Sequence, residues 1–167
     1  MPRPAVPADH VQADHHVKIV IDDLTHPKVH ALLREHLAGM HVHSPPGNVF
    51  ALDLGGLKVP EITFWTAWDE TELMGCGALK ELDAAHGEIK SMRTAAGHLR
   101  KGVSREILDA ILAEARRRGY SRVSLETGST AAFAPAHALY EQAGFVRSGP
   151  FGDYSPNSFS MFFTRTI

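Results

Sequence analysis

The stretch GEIKSMRTAAGHLRKGVSREILDAILAEA, residues 87–115, sets Gly102 between a β-like run and the most strongly periodic helical run in the chain. At such a junction the N–H groups of Arg100 to Ser104 converge on a helix N-terminus that offers them no intrahelical acceptor, an arrangement suited to phosphate oxygens. Gly102 admits an anion without a Cβ in the way, and Arg100, Lys101 and Arg105 put cationic charge around it. A pyrophosphate is the natural guest. The loop lacks both the glycine spacing of GxGxxG and the Lys-Ser/Thr pair of GxxxxGK[ST], which argues against a nicotinamide dinucleotide and a nucleoside triphosphate.

Other residue types offer less. None of the 11 histidines falls into HExxH, and His41 and His43 sit two apart in a predicted loop, so no metal is expected. Cys76, the only cysteine, lies among small and apolar residues of a predicted strand and reads as an inert buried thiol. Trp65 and Trp68 are three apart in a predicted strand and so point to opposite faces, which makes at least one of them core.

HLRKGVSREIL, residues 98–108, resembles the pyrophosphate loop of the GCN5-related N-acetyltransferases, whose pattern is Gln/Arg-x-x-Gly-x-Gly/Ala. LYEQAGF at 139–145 resembles the same family's downstream Leu-Tyr-Glu-x-x-Gly-Phe helix end. Leu99 stands where Gln or Arg is usual, Ser104 where Gly or Ala is usual, and Phe133 where many members carry a cofactor-touching asparagine. The resemblance implies direct transfer of acetyl from acetyl-CoA, without a metal, to a primary amine of a small molecule or peptide. It places Met92, Arg93, Thr94, Leu99, Arg100, Lys101, Gly102, Val103, Ser104, Arg105 and Phe133 at the cofactor. The Ser91–Thr94 backbone would pair with the pantetheine arm like an added strand. Glu88, eleven residues ahead of Leu99, matches the catalytic glutamate of the histone-acetylating branch and is the candidate general base, with Glu126 as its rival. Tyr140 matches the tyrosine near the cofactor sulfur that acts as general acid. Asp153 and Tyr154, in FGDY, are candidate acceptor contacts. A CoA-binding module without turnover is the alternative, motivated by Leu99 and Ser104.

These residues need a scaffold. VKIVI from Val17 predicts a strand, with Asp22-Asp23 as a helix-entry signal, and the spacing of Val29, Leu32, Leu33, His36 and Leu37 predicts an amphipathic helix stopped at Gly39. SPPGN and LGG break the chain between 41 and 60, leaving room for a short helix near Val49 to Leu54. EITFWTAWD and LMGCGALKEL predict a hairpin, and GEIKSMRT a further strand. Ile107, Leu108, Ile111, Leu112 and Ala115 form one face of a helix from Ser104 to Gly119, with basic residues in its last turn. SRVSLET predicts a strand, Thr130 to Ala143 a helix, and FVRSG and SFSMFFTRT the last two strands. The order βα(α)βββαβαββ predicts a mixed α/β (α+β) fold, a central mixed sheet of about seven strands with helices on both faces. Residues 1–16 read as a disordered leader and 17–167 as one domain.

With 44% hydrophobic and 22% charged residues, 167 residues suffice for a packed core. A formal net charge of -2 gives no field that would draw in nucleic acid or anionic lipid. No apolar run reaches the roughly 18 residues of a membrane span, and a cytoplasmic monomer or homodimer is expected.

Overall fold

The computed structural model describes residues 17–167; the leader expected at residues 1–16 lies outside them. The elements are β1 (Lys18–Ile21), α1 (Pro27–His43), α2 (Leu54–Leu57), β2 (Ile62–Asp69), β3 (Glu72–Asp83), β4 (His86–Thr94), α3 (Val103–Arg117), β5 (Arg122–Gly128), α4 (Ala134–Gln142), β6 (Val146–Ser148) and β7 (Ser160–Thr166). The order is the one expected from sequence. Seven strands form one sheet in the order β1-β2-β3-β4-β5-β7-β6. Every neighbouring pair is antiparallel except β4 and β5. A parallel pair requires a crossover, and α3 is that crossover.

Strand alternation sends side chains to two apolar layers. On one face Trp65, Ala67, Met74 and Ile89 meet Ile107, Leu108, Ile111 and Leu112 of α3, and Tyr140 and Phe145 close the layer around α4. Each large aliphatic side chain buried there contributes about 1.5–3 kcal/mol. The opposite layer sets Phe64, Cys76 and Ala78 against Val29, Leu32 and Leu33 of α1 and Leu57 of α2. Trp65 is thus core, whereas Trp68 lies on the α1 side, edge-on to His26.

Three local expectations are corrected. The Asp22 and Asp23 carboxylates accept from the N–H groups of Leu24 and Thr25 in a tight turn, and His26 is the cap of α1, accepting from the Lys28 N–H through Nδ1. Helix α1 continues through Gly39 to His43, because tertiary contact overrides glycine's modest helix penalty. A Cβ on Gly39 would lie 3.4 Å from the Arg93 guanidinium, an ordinary contact distance, so the Arg93 side chain packs beside the helix at this point. The short helix after it begins at Leu54, where Asp53 caps it by accepting from the Gly56 N–H.

Glycine also sets how closely α3 lies on the sheet. A Cβ on Gly77 would stand 2.8 Å from Ile107 Cγ2 and 3.1 Å from Ile111 Cδ1. Gly77→Ala is expected to destabilise the fold by about 1–3 kcal/mol through overpacking, lowering Tm by roughly 3–8 °C in thermal unfolding. Gly97→Ala, where the added methyl meets open space, should stay within about 0.5 kcal/mol of the parent.

Candidate active site

Strands β4 and β5 are in register only from His86–Arg122 to Ile89–Leu125. Both then run on, β4 to Thr94 and β5 to Gly128, without pairing to each other. β5 stays paired to β7 over its whole length, so the divergence belongs to β4. On β4 the register to β3 jumps from Lys90↔Ala78 to Arg93↔Cys76, three residues against two, and Ser91 takes a left-handed φ of 55°. This bulge bends β4 away from β5 and leaves a wedge at the centre of the sheet.

A cavity of about 120 Å³ occupies the wedge. Glu88, Glu126, Tyr140, Met92, Phe133 and His36 all line it. The two glutamates come from neighbouring strands on one face but meet different surroundings. Glu88, 3% exposed, pairs with Lys90 Nζ at 3.1 Å and accepts from the Tyr154 hydroxyl at 2.6 Å. Lys90 Nζ also donates to the Tyr154 oxygen at 3.0 Å, closing a three-membered network. Among the described residues Glu126 accepts only from Ser160 Oγ, at 3.0 Å. Burial, with Glu88 nearby, pushes its carboxyl up to about 7, against the opposing effects of the Ser160 hydrogen bond and Lys90.

The other titratable groups around the cavity are held neutral. Burial raises the Tyr140 hydroxyl well above the ordinary phenol range, and its ring rests against Phe145 and Phe163. Burial and then the adjacent Glu88 charge raise Tyr154 likewise. Burial, helped by the Arg93 charge, lowers His36 to about 4, so its imidazole is neutral near pH 7. Cys76 is fully buried, donates to the Ser91 carbonyl, and is pushed up to about 12 by burial, as befits an inert thiol.

Beyond the wedge, the loop into α3 has left-handed backbone at Arg100 (φ 63°) and Gly102 (φ 77°). Gly102 is the N-cap of α3 and no side chain caps the helix, so the N–H groups of its first turn face outward. A Cβ on Gly102 would meet nothing; the glycine is there for its positive φ. Around it Ser104 Oγ hydrogen-bonds Thr94 Oγ1, and Lys101 Nζ lies 3.2 Å from His98 Nδ1. The Leu99 side chain is 59% exposed.

The candidates from sequence thus separate into a wedge group of Glu88, Met92, Phe133 and Tyr140, and a loop group from Thr94 and Leu99 to Arg105. Three side chains turn elsewhere. Arg93 crosses to α1 beside Gly39, Val103 is buried in the core, and Arg105 pairs with Asp109. Phe133 covers Gly128 and meets Phe159 edge-on, filling the wall where a polar side chain was the family's habit. Sequence reasoning missed Lys90, His36 and Phe50. Lys90 carried a signal: two residues from Glu88 on a strand, it shares that residue's face. Phe50, in an irregular segment, meets Tyr154 edge-on at 5.2 Å between centroids and gave no periodic clue.

Among the described residues no group of three or more His, Cys, Asp or Glu is placed to hold a metal ion, and no helix is long and apolar enough to cross a membrane. The acetyltransferase (GNAT) family model matches residues 28–145. An uncharacterised N-acetyltransferase of Bacillus subtilis, YsnE, is 56% identical over 91% of this chain and 99% of its own length. YedL, an uncharacterised N-acetyltransferase of Escherichia coli, is 48% identical over 89% of this chain and 94% of its own. An IAA acetyltransferase of Azospirillum brasilense is 36% identical, over 74% and 80% respectively. Among solved structures, an acyl-CoA N-acyltransferase from Klebsiella pneumoniae superposes with a TM-score of 0.74 at 23% identity, covering 92% of this chain and 99% of its own. A GNAT family acetyltransferase from Elizabethkingia anophelis with acetyl-CoA bound gives 0.67 at 18% identity, covering 92% and 99%.

The Glu126 environment makes a prediction that needs no substrate. Its folded-state pKa, about 7, lies above the ordinary carboxyl value of 4.5, so the folded protein binds this proton more tightly than the unfolded chain. The contribution to stability is therefore complete below about pH 4.5 and is lost as pH rises to about 7. Glu126→Gln, compared with the parent by denaturant unfolding at pH 5 and pH 8, should gain roughly 1–3 kcal/mol relative to the parent between the two conditions. A constant difference would show that the carboxyl titrates normally.

Proposed function

The chain belongs to the GNAT acetyltransferase family and is an acyltransferase, and from that premise we propose that it transfers acetyl from acetyl-CoA to a primary amine, with Glu126 as the general base. The observation that carries the proposal is the pair of carboxylates in one cavity whose surroundings differ. Glu88 is engaged by Lys90 and the Tyr154 hydroxyl, whereas Glu126 has its carboxyl raised by burial to about 7. A general base works best when its pKa lies near the working pH. Two carboxylates with unlike environments divide roles in this way.

The donor fits the wedge and the loop beyond it. The splayed edge of β4 past Lys90 offers main-chain groups to an extended pantetheine arm, and the uncapped first turn of α3 offers N–H groups to a pyrophosphate. The acetyl thioester supplies the electrophilic carbonyl. Residues of this chain supply proton transfer and exclusion of water. Glu126 removes a proton from the acceptor ammonium, the freed nitrogen adds to the thioester carbonyl to form the C–N bond, and as the C–S bond breaks the nitrogen releases its second proton to solvent. Tyr140, neutral and facing the same cavity, donates a proton to the departing thiolate and recovers one from solvent. Glu88 holds Lys90 and Tyr154 in place and so shapes the acceptor side.

Glu126→Gln is expected to lower kcat/KM for amine acetylation by about 10²–10⁴-fold and to remove an activity limb rising through about pH 7. Calorimetric titration with acetyl-CoA should show unchanged affinity in this variant. Full activity in Glu126→Gln with loss in Glu88→Gln would transfer the base role to Glu88. In the same titration Gly102→Glu, whose side chain strains the left-handed turn and occupies the anion's approach, should abolish acetyl-CoA binding. Binding that survives Gly102→Glu would place the cofactor elsewhere.

A further inference from the structure

A second, larger cavity of about 550 Å³ adjoins the first, and Glu88, Lys90, Phe50 and Tyr154 line both. This shared wall ties the outer cavity to the reacting centre. Its apolar surface comes from Phe50, Leu82 and Pro156, and polar groups from Asn48, Ser155 and Asn157 stand on its loop side. Asn48 Nδ2 donates to Asn157 Oδ1 at 3.2 Å, which joins the two loops over the cavity.

Four charged side chains line this space: Lys80, Lys90, Glu88 and Asp153. Glu88 and Lys90 neutralise each other. Asp153 is exposed on the tip of its loop, where water screens it. Lys80 differs from all three. It is half-buried, and among the described residues it makes no ion pair within 4.0 Å and no side-chain hydrogen bond. Directly across from it on β4 is Glu88, and across from Glu88 on β5 is Ser124, so the three share a row and a face. Glu126 lies two residues further along that face of β5.

We propose that the acceptor is an amine that also carries a carboxylate, held in the outer cavity by Lys80 while the amine reaches Glu126. An ammonium with no partner in a partly desolvated wall is most stabilised by an anionic guest. Two strand spacings separate β3 from β5, about 10 Å. With Glu126 a further two residues along β5, this span suits about four methylene groups between amine and carboxylate, and Phe50 and Leu82 lie beside them. The proposal rests on acetyl transfer at Glu126 for the direction in which the acceptor lies.

Two probes differing only in the carboxylate, δ-aminovalerate and n-pentylamine, test this by calorimetric titration into the full-length protein saturated with CoA. The parent should bind δ-aminovalerate at least about tenfold more tightly. Lys80→Met should reduce that preference to about twofold, and Lys80→Arg should keep most of it. Equal affinity of the two probes in the parent, no binding of either, or full discrimination in Lys80→Met would overturn the assignment. Acetylation of n-pentylamine from acetyl-CoA, followed by thiol release, reports separately on the transferase chemistry. Absent turnover with intact discrimination would remove that chemistry and leave the anion site standing.

Discussion

The structure depends on the point at which β4 and β5 cease to pair. A seven-stranded sheet with every ladder complete would bury its centre under helices and have no room for a ligand. One extra residue in β4, at the left-handed Ser91, bends that strand while β5 remains fixed by seven residue pairs to β7. Main-chain groups past Lys90 then lose β5 as a partner strand, which leaves their hydrogen-bonding capacity free on that edge. The apolar layers on both faces make this tolerable: α3 holds β3 and β4 from one side, and α1 and α2 hold β2 and β3 from the other.

Opening the sheet also sets the electrostatics. Side chains at the wedge lie inside the domain around a small cavity, so each pays desolvation unless a neighbour compensates. Glu88 is compensated twice, by Lys90 and by the Tyr154 hydroxyl, and its charge in turn helps keep the Tyr154 and Glu126 protons in place. Glu126 has only the Ser160 hydroxyl, and burial prevails over that bond and over the Lys90 charge. Two chemically identical groups on adjacent strands thereby acquire different partners, and at Glu126 the imbalance is large enough to raise the carboxyl.

Much of this was legible in the sequence, and the boundary of what was legible is physical. Local signals carried the element order: the five apolar residues of α3, the β-branched runs and the glycine before the crossover helix all act within a few residues. The extension of α1 through Gly39 was not legible, because a local stop signal does not report tertiary packing against the helix, such as that of Arg93, fifty-four residues later. The Phe50–Tyr154 contact joins two irregular segments, where no period exists to be read. Glu126 could be named as a rival to Glu88, but the partners that distinguish them, Lys90 and Tyr154 at Glu88 against the Ser160 hydroxyl at Glu126, come together only when the strands and the Tyr154 loop assemble. At Cys76 the local guess sufficed, since small neighbours in a central strand already imply burial.

The loop departs from its family pattern at Leu99 and Ser104. Leu99 replaces a polar side chain, yet at this position the chain directs its side chain outward, 59% exposed. Ser104 replaces a residue with no hydroxyl, and its Oγ is taken up by Thr94, which ties the first turn of α3 to the end of β4. Neither substitution touches what aims the amides, namely the left-handed turns at Arg100 and Gly102 and the absence of a side-chain cap on α3. A nest built from main chain tolerates side-chain replacement as long as its dihedral angles persist. Of the two turns, Gly102 holds its angle without strain, while Arg100 holds the same region as a residue with a Cβ. The loop therefore carries a small conformational cost at Arg100, which an anion bound by the amides would offset, and side-chain motifs alone understate how well such a loop is preserved.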